Sequence, residues 1–375
     1  MQPQHSTVLM VADAPERIEN VRQAMDCSRG AIELLWGTFE LRVCNCLADA
    51  TKLLEGRLYD VVLLDPTLGV RDGVDSLDSL LIASPHSAVV VLVSEHEDGA
   101  ALDALRRGAQ DYLMLEEIHG RMLSRTLRGA IERKSTELRI AESRAELIWR
   151  LAKAAEYRDN ETGNHVIRVG CYAREIGIAM GLDRKEIETL FLAAPLHDIG
   201  KISIPDAILQ KPGPLDAEEM RTMQQHCVIG AKILGDSAEA EQFPYTRRVV
   251  SSGCLGQYDD PVRTVAQRIA MSHHERWDGT GYPGRLTGDQ IPLEARIVAI
   301  CDVFDALLSP RPYKEAFTLE MSLDIVREGR GTHFDPAVFD AFERSLPALI
   351  EIRDDLKDVR NHEREKELLH GAHSS

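Results

Sequence analysis

Two runs of aliphatic residues, Val61-Val62-Leu63-Leu64 and Val89-Val90-Val91-Leu92-Val93, restrict the first third of this chain more than any other feature. Both read as strands buried on both faces, as in a parallel sheet covered by helices on either side. Thr7 to Val11, Phe39 to Cys44, Val61 to Asp65, Ala88 to Val93 and Asp111 to Leu115 alternate with amphipathic segments, so residues 1–120 are expected to form an α/β doubly wound domain. Asp13, Asp65 and Ser94 fall at C-terminal strand ends, where open α/β sheets place their sites.

A polar helix is expected from about Ile118 to Tyr157, with residues 121–155 acting as a linker. Leu127, Ile131, Lys134, Leu138, Ala141, Ala145, Ile148, Ala152 and Ala155 follow alternating spacings of four and three, a heptad pattern interrupted by the charge of Lys134. One reading is a parallel coiled-coil homodimer. The other is a single amphipathic helix packed on its own domain, with which the small alanine seam is compatible.

Residues 156–350 read as an all-α bundle, followed by a charged tail at 351–375. Helices are expected over Thr162 to Met180, Asp183 to Ala194, Asp216 to Leu234, Leu293 to Leu308 and Leu319 to Arg327, and Asp216 with Glu219 forms a capping box. Pro195-Leu196-His197-Asp198-Ile199-Gly200-Lys201 then puts a histidine and a carboxylate side by side at the end of a core helix, which Pro195 is expected to kink. A lone His-Asp pair is usually a packed histidine with a satisfying partner. Here Glu161 and His165 (i, i+4), His226, His273, His274 and Asp302 supply further ligand-type side chains, enough for two or three transition metals with mixed nitrogen and oxygen ligation. Iron or manganese suits such a donor set. Because the imidazoles must be neutral, metal loading should weaken as pH falls.

Glu161-Thr162-Gly163-Asn164-His165, His197-Asp198-Ile199-Gly200-Lys201, His226 and His273-His274-Glu275-Arg276-Trp277-Asp278-Gly279-Thr280-Gly281-Tyr282-Pro283 resemble the signature of the HD-GYP family of bacterial cyclic-di-GMP phosphodiesterases. Asp302-Val303-Phe304-Asp305, Arg311-Pro312-Tyr313-Lys314 and His333-Phe334-Asp335-Pro336 continue it in order, so the resemblance covers roughly residues 150 to 345. It implies a helical HD-type domain with metal ligands Glu161, His165, His197, Asp198, His226, His273, His274 and Asp302, Glu161 making room for a third ion. Asp198 and Lys201 become catalytic candidates, Lys201 contacting the scissile phosphate or protonating the leaving oxygen. Arg311 and Lys314 resemble a phosphate-contacting pair, and Tyr282 is a candidate substrate contact with a structural alternative. Trp277 reads as packing, and Asp305 and Asp335 as capping or outer carboxylates that orient ligating histidines. Residues 236 to 262 exceed the family's usual spacing and read as an inserted surface loop or, alternatively, a lid.

The N-terminal half resembles a response-regulator receiver domain, with Asp65 in the phosphoacceptor position and Gly69, Asp72, Gly73 and Ser94 keeping the family's spacing. It departs from the family in having Ala12-Asp13 where two acids are usual, and Leu115-Glu116 where a lysine precedes a proline. Magnesium needs the acids and the acyl phosphate the lysine, so the losses favour a degenerate receiver, used for dimerisation or for docking a sensor kinase or other signalling protein, over phosphorylation at Asp65.

A formal net charge of −17 over 375 residues disfavours nucleic acid polymers and anionic membrane surfaces as partners. No stretch approaches a membrane span, no leader pattern opens the chain, and seven scattered cysteines lack any Cys-x-x-Cys, which makes the cytoplasm the expected compartment. The expected function is metal-dependent hydrolysis of cyclic di-GMP to pGpG, and on to GMP, by a hydroxide held between metals. The alternatives are a catalytically silent cyclic-di-GMP sensor or scaffold and a phosphodiesterase for another cyclic dinucleotide.

Overall fold

The computed structural model describes residues 5–26, 38–68, 76–94, 98–158, 164–235, 260–309 and 316–356. The chain divides into two compact units between Ser143 and Arg144. No helix among the described residues is long and apolar enough to cross a membrane.

In the first unit the strands β1 (His5–Val11), β2 (Thr38–Cys44), β3 (Val61–Leu64), β4 (Ala88–Val93) and β5 (Asp111–Met114) form one parallel sheet in the order β2-β1-β3-β4-β5. Each lies within two residues of its expected span. Alternate residues serve opposite faces: Leu9, Val62, Leu64 and Val91 enter one core, Met10, Val61, Leu63 and Val90 the other. This two-sided burial is why the sequence shows continuous apolar runs instead of alternation. Asp65 follows β3 directly and is fully buried, and its Oδ1 accepts from Arg17 Nη1 at 2.6 Å and from the Thr67 hydroxyl at 2.7 Å. Arg17 stands one helical turn beyond Asp13, on the helix Pro15–Asp26 that leaves β1. Asp13 is exposed. Gly69, Asp72 and Gly73 lie outside the described residues.

The long helix runs Gly120–Glu156. Leu123, Leu127 and Ala130 join the core of the first unit, whereas Ile148 and Ala152 pack into that of the second. The alanine end of the heptad seam is therefore taken up by the chain's own core. Ile140, Leu147 and Leu151 are the large apolar residues this helix leaves exposed.

The second unit is helical: His165–Met180, Arg184–Ala193, Ala217–Leu234, Pro261–Ser272, Leu293–Leu308, Leu319–Glu328 and Pro336–Asp355 enclose Val166, Val169, Tyr172, Ile176, Leu190, Phe304 and Phe342. The capping box of Asp216 and Glu219 opens Ala217–Leu234, and Asp183 with Glu186 does the same for Arg184–Ala193. Asp260 caps a helix starting at Pro261, so any insertion ends there, and residues 236–259 lie outside the described residues.

Pro195 does not kink a continuing helix. The α-helix stops at Ala193 and a 3₁₀ turn, Ala194–Leu196, carries the chain into a second one, Ile199–Ser203. His197 and Asp198 sit at the junction of the two turns and not on the core helix expected for them. The cause is Pro195 itself, which has no N–H to continue the ladder, while its ring packs within 3.2 Å of where a side chain on Gly170 would begin.

Gly200 fixes the height of this junction. A Cβ there would stand 2.0 Å from the His226 carbonyl oxygen and 2.5 Å from the Gly230 nitrogen, both rigid helix backbone. Gly200→Ala should therefore force the 3₁₀ turn off the helix, costing about 3 kcal/mol and lowering the melting temperature by roughly 5 °C or more, measurable by calorimetry of the metal-free chain. An unchanged melting temperature would contradict this contact.

Candidate metal centre

Five elements of the second unit converge on one buried point. His165 opens the helix His165–Met180, His197 and Asp198 come from the 3₁₀ junction, His226 from Ala217–Leu234, His273 and His274 from the end of Pro261–Ser272, and Asp302 from Leu293–Leu308. Their ligand atoms form two groups, Asp198 with His226, His273 and His274, and His165 with His197 and Asp302, all atoms of a group lying within 4.8 Å of one another.

Asp198 touches both groups. Its Oδ1 lies 3.3 Å from His226 Nε2 and 3.4 Å from His273 Nε2, and its Oδ2 lies 3.3 Å from His197 Nε2. Asp302 Oδ1 stands 3.5 Å from His165 Nε2 and 4.0 Å from His197 Nε2. Lys201 Nζ is 2.8 Å from Asp198 Oδ2.

The imidazoles are held ligand-side inward. The Nδ1 atoms of His197, His226 and His273 donate to the carbonyls of Ala194, Met223 and Ile269 at 3.0, 2.7 and 3.1 Å, and His165 Nδ1 bonds Asp305 Oδ2 at 2.8 Å. Each Nε2 is left facing the centre as an acceptor. His197 Nε2, His273 Nε2 and Asp198 Oδ1 are buried and take no hydrogen bond among the described residues. Buried polar atoms without partners are costly, and a donor set of neutral imidazoles and carboxylates fits divalent transition metals.

Burial alone would raise the Asp198 carboxyl, but Lys201 and His197 hold it well below the ordinary carboxylate range. Burial pushes the His226 imidazole down to about 4 and lowers His274 as well. For His197, burial works in the same direction and is overcome by Asp198, so that imidazole is raised.

The surrounding shell includes residues the sequence reading did not single out. Arg168, 2% exposed, clamps Asp305 with Nε and Nη2 at 2.7 and 2.8 Å, so Asp305 is fixed before it orients His165. Arg168 lies one helical turn after His165, a spacing that could have marked it. Glu156 Oε1, 3.8 Å from His165 Nε2, is a buried acid at the end of the long helix where the alanine seam pointed only to packing. Asp335 caps its helix through Ala337 N and accepts from Arg296, whose guanidinium lies over Trp277. Glu275 accepts from the Gly284 and Leu286 amides and so anchors the glycine-rich loop.

That loop folds back on the centre. A Cβ on Gly281 would stand 2.4 Å from the Arg276 nitrogen, so only glycine allows this approach, and Tyr282 N donates to the His274 carbonyl at 3.2 Å. The Tyr282 ring consequently stacks on His274 at 4.8 Å. Glu161, Arg311 and Lys314 lie outside the described residues.

Asp305→Ala should leave the Arg168 charge buried without that carboxylate and cost about 3 to 5 kcal/mol in a denaturation experiment. Asp305→Asn should stay folded and lower metal affinity about 10- to 100-fold through His165. Native metal content and stability in both variants would contradict the orienting role.

Residues 139–338 match the HD domain family and residues 8–125 the response regulator receiver domain. A probable cyclic di-GMP phosphodiesterase of Vibrio cholerae is 33% identical over 367 residues, 90% of this chain and 77% of the relative. The cyclic di-GMP phosphodiesterase response regulator RpfG of Xanthomonas campestris is 35% identical over 323 residues, 81% of this chain and 80% of the relative. A 3'3'-cGAMP-specific phosphodiesterase 2 of Vibrio cholerae is 41% identical over 219 residues, 58% of this chain and 38% of the relative. The chain therefore belongs to the HD domain family, in its HD-GYP form, and carries a response regulator receiver domain ahead of it.

Proposed function

We propose that this protein is a metal-dependent phosphodiesterase that hydrolyses cyclic di-GMP to pGpG, and onward to GMP, under the influence of its receiver domain. The observation that carries the reading is the Asp198 carboxylate in contact with histidines of two adjoining donor groups, with the Lys201 ammonium 2.8 Å away. Asp198, His226, His273 and His274 would hold one ion, His165, His197 and Asp302 another, and Glu161 a third. Iron or manganese suits these ligands and, when bound, supplies Lewis acidity toward the phosphodiester and toward water.

The residues around the ions do the rest. Lys201, anchored on Asp198, contacts the scissile phosphate and can pass a proton to the leaving oxygen. Arg311 and Lys314 receive the phosphates, arginine through its planar fork. Tyr282, stacked on His274, forms the edge of the substrate site.

The receiver acts by docking. Arg17 neutralises Asp65 where one of the family's two acids and its lysine are lacking, which supports signalling by partner contact, with a sensor kinase or another signalling protein, over acyl phosphate formation. Ile140, Leu147 and Leu151, spaced by seven and four on the long helix, support a homodimer along that helix. The unpaired cysteines among the described residues suit a cytoplasmic protein.

Protein purified without oxygen and loaded with iron or manganese should convert cyclic di-GMP to pGpG or GMP, read by chromatography alongside metal content. His197→Ala and Asp198→Ala should lose metal and turnover together, while Lys201→Ala should keep its metal and lose about 100-fold in kcat. Full occupancy without turnover would instead favour a sensor. Incubation with acetyl phosphate and magnesium should leave Asp65 unmodified by intact mass. A stable adduct absent from Asp65→Asn would contradict the docking reading.

A further inference from the structure

Tyr282 belongs to two places at once. It stacks on His274, and it lines an open cleft of about 640 Å³ whose walls also include Arg221, Gln224, Val228, Pro283 and Arg285. Arg221, Gln224 and Val228 follow one another at i, i+3 and i+7 on the helix that carries His226, and so form a stripe along one side of that helix. The cleft therefore opens beside the donor groups described above and shares an element with them.

Several polar groups of this cleft keep hydrogen-bonding capacity unused among the described residues. Arg221 uses Nε on the Ala217 carbonyl at 3.1 Å, which leaves its two Nη atoms. Among the described residues those Nη atoms, the Arg285 guanidinium and the Gln224 amide take no hydrogen bond or ion pair. Arg285 is also the described non-glycine residue held at positive φ, 53°. Left-handed backbone at a long side chain is strained and persists where surroundings enforce it, often at ligand sites. Two guanidiniums that form no ion pair among the described residues, on a chain of net charge −17, mark a place suited to an acceptor-rich ligand.

A guanine edge matches these groups. It presents O6 and N7 side by side as acceptors to a guanidinium fork, whereas adenine places an N6 donor where O6 would be. The Gln224 amide oxygen can accept from guanine N–H donors. Val228 and Pro283 offer apolar surface to the faces of the ring. We propose that this cleft is the base-reading subsite for one nucleobase of a cyclic dinucleotide, and that Arg221, Arg285 and Gln224 make it prefer guanine over adenine. The proposal rests on the phosphodiesterase reading above, and it names the residues that would separate relatives acting on cyclic di-GMP from those acting on 3'3'-cGAMP.

The full metal-loaded chain should be compared with its Arg221→Ala, Arg285→Ala and Gln224→Ala variants in turnover of cyclic di-GMP and cyclic di-AMP, and in calorimetric binding of GMP and AMP. Arg221 is exposed, so its removal leaves the fold intact. Arg221→Ala should raise KM for cyclic di-GMP about tenfold, ~1.4 kcal/mol, with kcat within twofold and metal content unchanged. GMP affinity should fall in parallel, and the cyclic di-AMP and AMP values should hold. Wild-type turnover of cyclic di-GMP with KM within twofold in all three variants would overturn the subsite and leave the phosphodiesterase standing. Binding without hydrolysis by the wild type would overturn the enzyme reading alone, and the GMP series would then decide the cleft. Absence of both binding and turnover of cyclic di-GMP in metal-loaded wild type would overturn both.

Discussion

The two donor groups of the second unit meet at one buried carboxylate, Asp198. Asp198 faces His226 and His273 with one oxygen and His197 with the other, and Lys201 holds the latter oxygen from the next turn of chain. A charge in that position, 7% exposed, is tolerated only with compensating cations around it. Its location is set by backbone: Pro195 ends the helix, the chain tightens into 3₁₀ turns, and Gly200 presses against the carbonyl of His226. Ligand and support thus come from one seven-residue stretch, 195–201.

Around that carboxylate the fold fixes four of the five histidines by their outer nitrogens. Three lean on helix or turn carbonyls, which cost no additional side chain, and the fourth leans on Asp305, itself gripped by Arg168. Such anchoring sets tautomer and ring direction before a metal arrives. The glycine-rich loop closes the arrangement by setting Tyr282 against His274, and Glu275 ties the loop from beneath. One helix, Ala217–Leu234, presents His226 to the centre and Arg221 and Gln224 to the cleft beside it, so the donor groups and the cleft share one support.

Much of this was legible from the chain. The valine-rich strands announced a parallel sheet because both faces are covered, and their bounds follow from turn residues beside them. Leu293–Leu308 and the box at Asp216 were equally plain, since apolar spacing and capping are local signals. The candidate ligand residues His165, His197, Asp198, His226, His273, His274 and Asp302 are brought together in two adjoining groups. What escaped were effects decided in three dimensions. Pro195 stops a helix instead of bending it because it has no N–H to continue the ladder and the chain tightens into 3₁₀ turns. Arg168 and Glu156 are charged residues whose burial depends on partners far away in sequence. The heptad seam named real apolar positions, but Ile148 and Ala152 are spent on the chain's own core, leaving a different set of residues outward. In the receiver, the loss of an acid and a lysine was visible, whereas the Arg17 contact that neutralises Asp65 required the sheet to be folded first.

Two donor groups are joined through one aspartate, and diffraction at a metal absorption edge tests that directly. Crystals of the chain loaded with iron should show anomalous density both among Asp198, His226, His273 and His274 and among His165, His197 and Asp302, and Asp198→Ala should lose both. A single peak, or density that stays when Asp198 is removed, would contradict it.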